Sequence, residues 1–441
     1  MTTDGQGLVG HTGARLVAEL AERLSIAADL SAALAPIVKG PRRHAPGQVL
    51  VDLAVMAADG YDFVSDLKVL RDQPGLFGEV ASQPTAWRLL GAIDEGLLDR
   101  LQAARAASRA RAWAAGLGPE AKLVTLDFDA TVVDVHTDDK EGAGPTYKKG
   151  YGFHPLLCYC DQTGEALAGK LRPGSAGANT AADHVELLDA AVAQLPVPTK
   201  QEGPDNSLEV LARADSAGAT HGFVNAIVAK GFEFSIGFDV TEAVRLAILD
   251  VPAGAWAVPI SLDMEERDGA GVAEVTAYLD LSAWPEGTRA VCRREEPHVG
   301  AQFDLFDPEG FRHQVFITNS KDPDIVYLEA RHRSHAHVED RIKAAKATGL
   351  AHFPGQRFSS NAAWMFVVLL AQDLLVWAQR LCLDGELANA EPKRLRYCVL
   401  HVAGRLARTG RRSLLRLDST WPWAKALARA FERLSALNFA T

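Results

Sequence analysis

The run VTLDFDATVVDVH, from Val124 to His136, sets two aspartates, Asp127 and Asp129, into an apolar, β-prone segment. Side chains two apart on a strand point the same way, so both carboxylates share one face. A carboxylate on a buried strand is costly unless it is paired, hydrogen-bonded or holding a metal. The stretch therefore predicts a core strand that carries a metal site or a nucleophile. The rest of the chain has to say which.

The chain has 441 residues, too many for one simple core, so two or three units are expected. Its 48% apolar and 23% charged residues are ordinary for a globular protein. Five cysteines (Cys158, Cys160, Cys292, Cys382, Cys398), with no zinc-ligand spacing and no secretory signal, point to a reduced, cytoplasmic setting. The apolar run AAWMFVVLLA, Ala362 to Ala371, is half the roughly 20 residues of a membrane span and predicts a buried helix. Net charge is −10, which argues mildly against a nucleic-acid partner. Distribution matters more than the sum. From Glu391 to Thr441 there are eleven Lys/Arg and three Asp/Glu. That basic tail is either a polyanion contact or a solvated helical face.

Upstream of the strand, residues 1–118 read as all-helical. TGARLVAELAERL puts Leu16, Leu20 and Leu24 on one stripe. SQPTAWRLLGAID offers Thr85 as a cap, for the second helix of a helix-turn-helix or for one more bundle helix. Downstream, VTLDFDATVVDV, KKGYGFHPLLCYCD and EALAGKLRPG predict a β-meander. LEVLARADS is a further strand, ending at Asp215. Between about 240 and 318 four stretches look like strands: AWAVPISLDM, AEVTAYLDL, TRAVCRRE and RHQVFITNS. Helical character then returns, and HVEDRIKAAKATG sets Glu339, Lys343 and Lys346 on one helix face.

Three acids stand out: Asp129, Asp215 and Glu339. Two strand aspartates and a helix glutamate can converge at one edge of a mixed sheet. Taken singly, a strand-end aspartate is as readily a turn cap. Three carboxylates without histidine or cysteine suit hard cations such as Mg²⁺ or Mn²⁺. A pair of such ions clamps the attacking and leaving oxygens of a phosphoryl displacement. Two rival readings exist. LDFDAT also fits the D-x-D-x-T motif of haloacid dehalogenase-like phosphatases, with Asp127 as nucleophile and VFITNS as a second motif. No later strand ends in a paired acidic motif, and RADS and EDRIK would be left unused. The other rival is a non-enzymatic DNA-binding descendant of a nuclease, but all three acids are present.

LDFDAT, then YKKGYGFHPLLCYCDQTGEALAGKLRPGSAGANTAADH, then ARADS, then ARHRSHAHVEDRIKAAKATGLAHFP resembles, in that order, a bacterial insertion-sequence transposase of the DDE class. The group is numbered thirteen-eighty, the bacterial relatives of piggyBac, and the likeness runs over roughly residues 45 to 400. It implies an α/β core, an RNase H-like mixed sheet, with an all-helical N-terminal domain and a β-rich insertion domain. The expected layout is 1–118 for the helical DNA-binding or dimerisation domain and 119–240 for the first part of the core. The insertion takes 241–320, the second part of the core 321–385, and a basic helical C-terminal region 386–441. The resemblance makes Asp129, Asp215 and Glu339 the catalytic residues and the ligands of two Mg²⁺ ions, with Mn²⁺ as a substitute. Asp127 remains a neighbouring or substitute ligand.

The implied activity is cleavage at transposon ends and strand transfer into target DNA. The partners would be double-stranded terminal inverted repeats and target DNA, bound by a homodimer with no membrane role, in a bacterial, nucleoid-associated cytoplasmic setting. Trp284, in SAWPEG, is either a stacking platform for a flipped base or a hairpin tryptophan. Hairpin-forming relatives carry Tyr, Arg, Glu and Lys around the last acid. Here Glu339 and Lys346 match, while His332 and His335 hold the other two positions. Arg331 and Arg333 stand beside them as alternative phosphate contacts. Lys148, Lys149, Arg172, Arg213, Arg341 and Lys343 are further basic candidates near the motifs, with Lys148, Lys149 and Arg172 preferred as phosphate ligands because they flank the strands that would carry Asp129.

Overall fold

The computed structural model describes residues 5–197, 207–261, 264–297, 310–410 and 412–439. The opening stretch forms strand β1 (Leu123–Ala130). Its alternation sorts the faces as expected. Val124, Leu126 and Phe128 join one hydrophobic cluster, which leaves Thr125, Asp127 and Asp129 on the opposite face. β2 (Leu156–Cys160) pairs antiparallel with β1, and β3 (Ala166–Lys170) pairs antiparallel with β2, so the meander forms. On the other side of β1, β4 (Glu209–Ala214) and β5 (Glu233–Phe238) add in parallel. Parallel neighbours need crossovers, and two helices on one face supply them. These are α6 (Ala181–Val192) before β4 and α7 (His221–Ala229) before β5.

β6 (Ala270–Glu274), β7 (Arg289–Glu295) and β8 (Arg312–Thr318) continue the same sheet, because β8 pairs antiparallel with β5. The full order is β6-β7-β8-β5-β4-β1-β2-β3. Two expected strands fail. AWAVPISLDM makes only isolated bridges, Ala257 with Val272 and Ile260 with Glu266. Pro259 breaks its donor ladder, and Leu262 and Asp263 lie outside the described residues. AEVTAYLDL leaves the sheet after Glu274, where Thr276 Oγ1 bonds the Glu274 carboxylate at 2.8 Å and receives the Ala290 N–H at 2.9 Å. Local bonds of this kind compete with a strand ladder.

The N-terminal helices are α1 (Ala14–Arg23), α2 (Ile26–Ala33), α3 (Pro46–Ala58), α4 (Gln83–Leu90) and α5 (Glu95–Ala112). Leu16, Leu20 and Leu24 are buried as the stripe requires. Thr85 lies inside α4. The cap position belongs to Ser82, because Pro84 fits the first turn. After α8 (Glu242–Leu249) the later helices are α9 (Ile325–Arg333), α10 (His337–Ala345), α11 (Phe358–Cys382) and α12 (Ala424–Ala436). α11 passes the length and hydropathy test for a membrane span, yet 89% of its apolar window is buried inside the protein. It shares one hydrophobic cluster with α1, α3 and α12.

Charges fix α5 on this core. Arg105 Nε donates to Asp373 Oδ2 at 2.8 Å, and Arg109 Nε donates to Glu165 Oε1 at 2.9 Å. All four side chains are fully buried. The C-terminal region is not all helix. β9 (Gly404–Thr409) and β10 (Arg412–Leu417) form a hairpin, with β9 also pairing to Leu8–Val9. Gly410, at φ +56°, takes the left-handed conformation at its turn.

Candidate active site

The parallel register of β1 and β4 sets Asp127 beside Arg213 and Phe128 beside Ala214. Asp129 and Asp215 are the next residues along these two chains, so they sit side by side at the strand ends. Asp215 caps the tight turn Ser216–Gly218 by accepting the Ala217 N–H at 3.0 Å. On β5, a Cβ at Gly237 would lie 2.8 Å from Ser216 N and 3.0 Å from the Asp215 carbonyl carbon. Only glycine lets that turn approach. Glu339 is in the first turn of α10, where the helix dipole favours an anion.

The three acids act on one another. Burial and then the negative charge of Asp215 push the Asp129 carboxyl up to about 6, and the Glu339 charge adds to the rise. His335 and the Ala130 N–H, at 2.7 Å from Oδ1, work the other way. Asp129 therefore faces two further carboxylates, and among the described residues its direct hydrogen bond comes only from the next backbone N–H.

Asp127, two residues earlier on the same face, is bound quite differently. Arg213 Nε donates to Oδ1 at 2.6 Å and Arg213 Nη2 to Oδ2 at 2.7 Å. His335 Nδ1 lies 2.9 Å from Oδ1. Burial alone would raise this carboxyl, but the Arg213 and His335 bonds outweigh it and hold it below its ordinary value. Asp127 is thus a buried partner in an ion pair. Both its oxygens are occupied, so it fits neither a metal-ligand nor a nucleophile role.

The same guanidinium reaches Asp161 Oδ2 at 2.8 Å, and Asp161 Oδ1 meets His337 Nδ1 at 2.9 Å. Arg213 Nη1 also donates to the Arg331 carbonyl. One buried cation therefore ties β1 and β4 to the segment 331–337 that leads into Glu339. Asp161 and His337 were absent from the sequence expectation. Their signal was an aspartate closing the CYCD strand and a second histidine in SHAH, both legible only once the sheet order is known.

A family model described as transposase DDE domain group 1 matches residues 1–439. The chain belongs to this family of DDE transposases. No curated protein matches it. Among solved structures, it is similar to a cryo-EM structure of the piggyBac transposase synaptic complex with hairpin DNA. The identity is 9%, the TM-score is 0.39, and the match covers 86% of this chain and 78% of that one.

The basic residues expected on DNA divide into two groups in this transposase. Lys346 lies by the acids. Its Nζ donates to the Val132 carbonyl at 3.0 Å; burial and Lys148 hold its pKa below the ordinary lysine value, while Asp134 and Asp129 pull upward. Lys148 sits 5.6 Å from the Tyr147 ring centroid and is exposed, as is Lys149. The others make bonds within the protein. Arg172 is buried, with Nε donating to the His154 carbonyl at 2.9 Å and Nη1 to the Gly177 carbonyl at 3.0 Å. It ties the end of β3 to the RPGSAGANT loop, and its Nη2 is buried without a hydrogen-bond partner among the described residues. Arg331 pairs with Glu233 at 3.0 Å, and Arg333 donates to the Ile260 carbonyl and pairs with Glu329. Arg331 Nε and Nη2 are buried without a hydrogen-bond partner among the described residues. Lys343 forms an exposed pair with Glu391 at 2.8 Å, the kind that solvent and salt readily weaken. Trp284 is half-buried and packs on His221 and Phe238, with ring centroids 4.3 and 5.7 Å away. His332 is half-buried and stacks on Phe316 at 4.3 Å; desolvation drives its pKa well below 6.5.

Proposed function

We propose that this transposase cuts DNA at the ends of a mobile element and joins the freed ends to target DNA, with Asp129, Asp215 and Glu339 as its catalytic residues. One observation carries the reading: Asp129 and Asp215 sit side by side at the ends of two adjacent parallel strands, while Asp127, two residues earlier on the same face, is held on both oxygens by Arg213; burial and the charges of the other two acids push the Asp129 carboxyl up. An all-oxygen set of mutually repelling carboxylates fits two Mg²⁺ ions, or Mn²⁺ in their place. When bound, such ions supply an activated oxygen nucleophile and stabilise the leaving oxygen.

The chain's own residues do the positioning. Arg213, Asp127 and Asp161 hold the segment that leads into Glu339. Gly237 admits the turn that carries Asp215. Lys346, with Lys148 near it, offers positive charge to a phosphate beside Asp129. An RNase H-like core is supported by the antiparallel trio β1-β2-β3 followed by the parallel β4 and β5, with acids at the ends of β1 and β4. Under this reading, 119–240 and 321–385 make the core and 241–320 the insertion. Residues 1–118 recognise the terminal repeat or dimerise, and the basic 386–441 region contacts flanking DNA. Two ends need two copies, so the working form is a homodimer on duplex DNA in the bacterial cytoplasm. The phosphatase reading fails on Asp127, whose nucleophilic oxygens are both held by a guanidinium.

The test is strand cleavage of a labelled duplex carrying the element's own ends. Cutting at the end boundary that needs Mg²⁺ or Mn²⁺, followed by joining to a target plasmid, supports the reading. Hydrolysis of phosphomonoesters without end cutting would replace it with the phosphatase, and binding without cutting with the inactive descendant.

A further inference from the structure

Away from the three acids, His11, Asp59 and His401 bring three ligand atoms within 4.8 Å of one another. The residues come from distant parts of the chain: the segment before α1, the residue that ends α3, and the approach to β9. Asp59 is fully buried, and neither carboxylate oxygen makes a hydrogen bond of good geometry, although His401 comes close enough for Asp59 to raise its pKa. His11 Nδ1 is 2.7 Å from Asp59 Oδ2, yet it too has no hydrogen-bond partner. The atoms are in contact at angles that suit no hydrogen bond. His401 Nε2 lies 3.3 Å from Asp59 Oδ1 and 2.8 Å from the Asp59 carbonyl oxygen. The neighbouring Arg396 spends its donors on the carbonyls of Ala58 and Ala57 and on Thr348 Oγ1. A buried carboxylate without hydrogen bonds is costly, and a cation between it and two imidazoles removes that cost.

The geometry points to a second metal site, in which His11, Asp59 and His401 hold one late first-row divalent cation such as Zn²⁺. Two imidazoles and a carboxylate suit Zn²⁺ and its neighbours, whereas Mg²⁺ prefers oxygen alone. Metal–ligand bonds of about 2.0–2.2 Å set ligand atoms roughly 3.0–3.5 Å apart; the His401–Asp59 contact at 3.3 Å already fits, the His11–Asp59 contact at 2.7 Å has to open, and all three ligand atoms lie within 4.8 Å of one another. His401 would exchange its bond to the Asp59 carbonyl for the ion. The site is structural, since all three side chains are spent on the ion and none is aimed at the triad.

Its position gives it a purpose. Thr12 N and Oγ1 bond the Val402 carbonyl at 2.9 and 2.7 Å, Gly13 N bonds the Leu400 carbonyl at 3.1 Å, and Leu8–Val9 pairs with β9. An ion at His11–Asp59–His401 would clasp this junction of the two chain ends onto α3.

The test is Zn²⁺ content and Co²⁺ absorption of the full-length protein in millimolar Mg²⁺. The expected result is one Zn²⁺ per chain, a Co²⁺ visible band of low-symmetry nitrogen–oxygen ligation, and a rise of several degrees in Tm on adding Zn²⁺. All three persist in Asp129→Asn and are lost in His11→Gln and His401→Gln. No bound ion in the wild type, or unchanged stoichiometry in both histidine variants, would overturn the site. Loss in Asp129→Asn would assign the ion to the triad instead. If a histidine variant misfolds, the wild-type Co²⁺ band and Tm shift still decide.

Discussion

Arg213 grips Asp127 from the neighbouring parallel strand with two nitrogens, at 2.6 and 2.7 Å. The pair explains how a core strand tolerates a charge. It also sets Asp127 apart from Asp129, which has the same residue type and strand face but the opposite electrostatic surroundings.

Removing one partner of a buried ion pair strands the other. Asp127→Ala is expected to cost about 3–5 kcal/mol in urea unfolding, because Arg213 is left buried with its main partner gone. Asp129→Asn and Glu339→Gln, which relieve repulsion, are expected to leave stability unchanged or raised. Equal losses across all three variants would remove the distinction.

The pH dependence follows from the raised Asp129 carboxyl. Its folded value is about 6 against an ordinary 3.8, so the folded protein holds this proton more tightly than the unfolded chain. The resulting stability is fully present below about 3.8 and is lost as pH rises through about 6. The loss is on the order of 3 kcal/mol for a metal-free protein. Urea melts of wild type against Asp129→Asn across this range should converge on the acid side and separate by neutrality. Adding Mg²⁺ at neutral pH should close the gap, and cleavage should rise with pH through the same interval.

Lys346 matches the signature around the last acid, and Arg331 stands as a substitute phosphate contact beside it. The structure separates them, since Lys346 is near Asp129 and Arg331 is paired with Glu233. Lys346→Gln is expected to weaken binding to element ends and to lower the salt slope by about one. Arg331→Gln should leave that slope unchanged. Filter-binding at several salt concentrations compares them.

Asp373 accepts from Arg105 and Arg109 where α5 meets α11. Asp373→Ala leaves both arginines short of a partner in a water-free site. The expected cost is about 3–5 kcal/mol, read by denaturation. A milder loss would mean that Glu165 alone satisfies the two cations.

Much of the core was legible because its signals are local. Alternation named β1, and a polar residue at each strand end named Asp129 and Asp215. The failures were non-local. AWAVPISLDM looked extended by composition, but Pro259 denies it a ladder. The C-terminal stretch looked helical by charge, but Gly410 turns it into a hairpin. Arg172, Arg331 and Arg333 looked like surface cations because sequence does not show which carbonyl or carboxylate lies opposite. The His11–Asp59–His401 cluster was invisible, because 390 positions separate its two histidines.

Under the proposed function, Asp129, Asp215 and Glu339 act as one site while Asp127 only holds the structure. This division is tested most directly by end-cleavage rates of Asp129→Asn, Asp215→Asn, Glu339→Gln and Asp127→Asn with saturating Mg²⁺, each checked for fold by circular dichroism. The expected result is loss of cutting in the first three, with DNA binding kept, and measurable cutting by folded Asp127→Asn. Wild-type rates in any of the three, or a folded Asp127→Asn that alone is inactive, would contradict it.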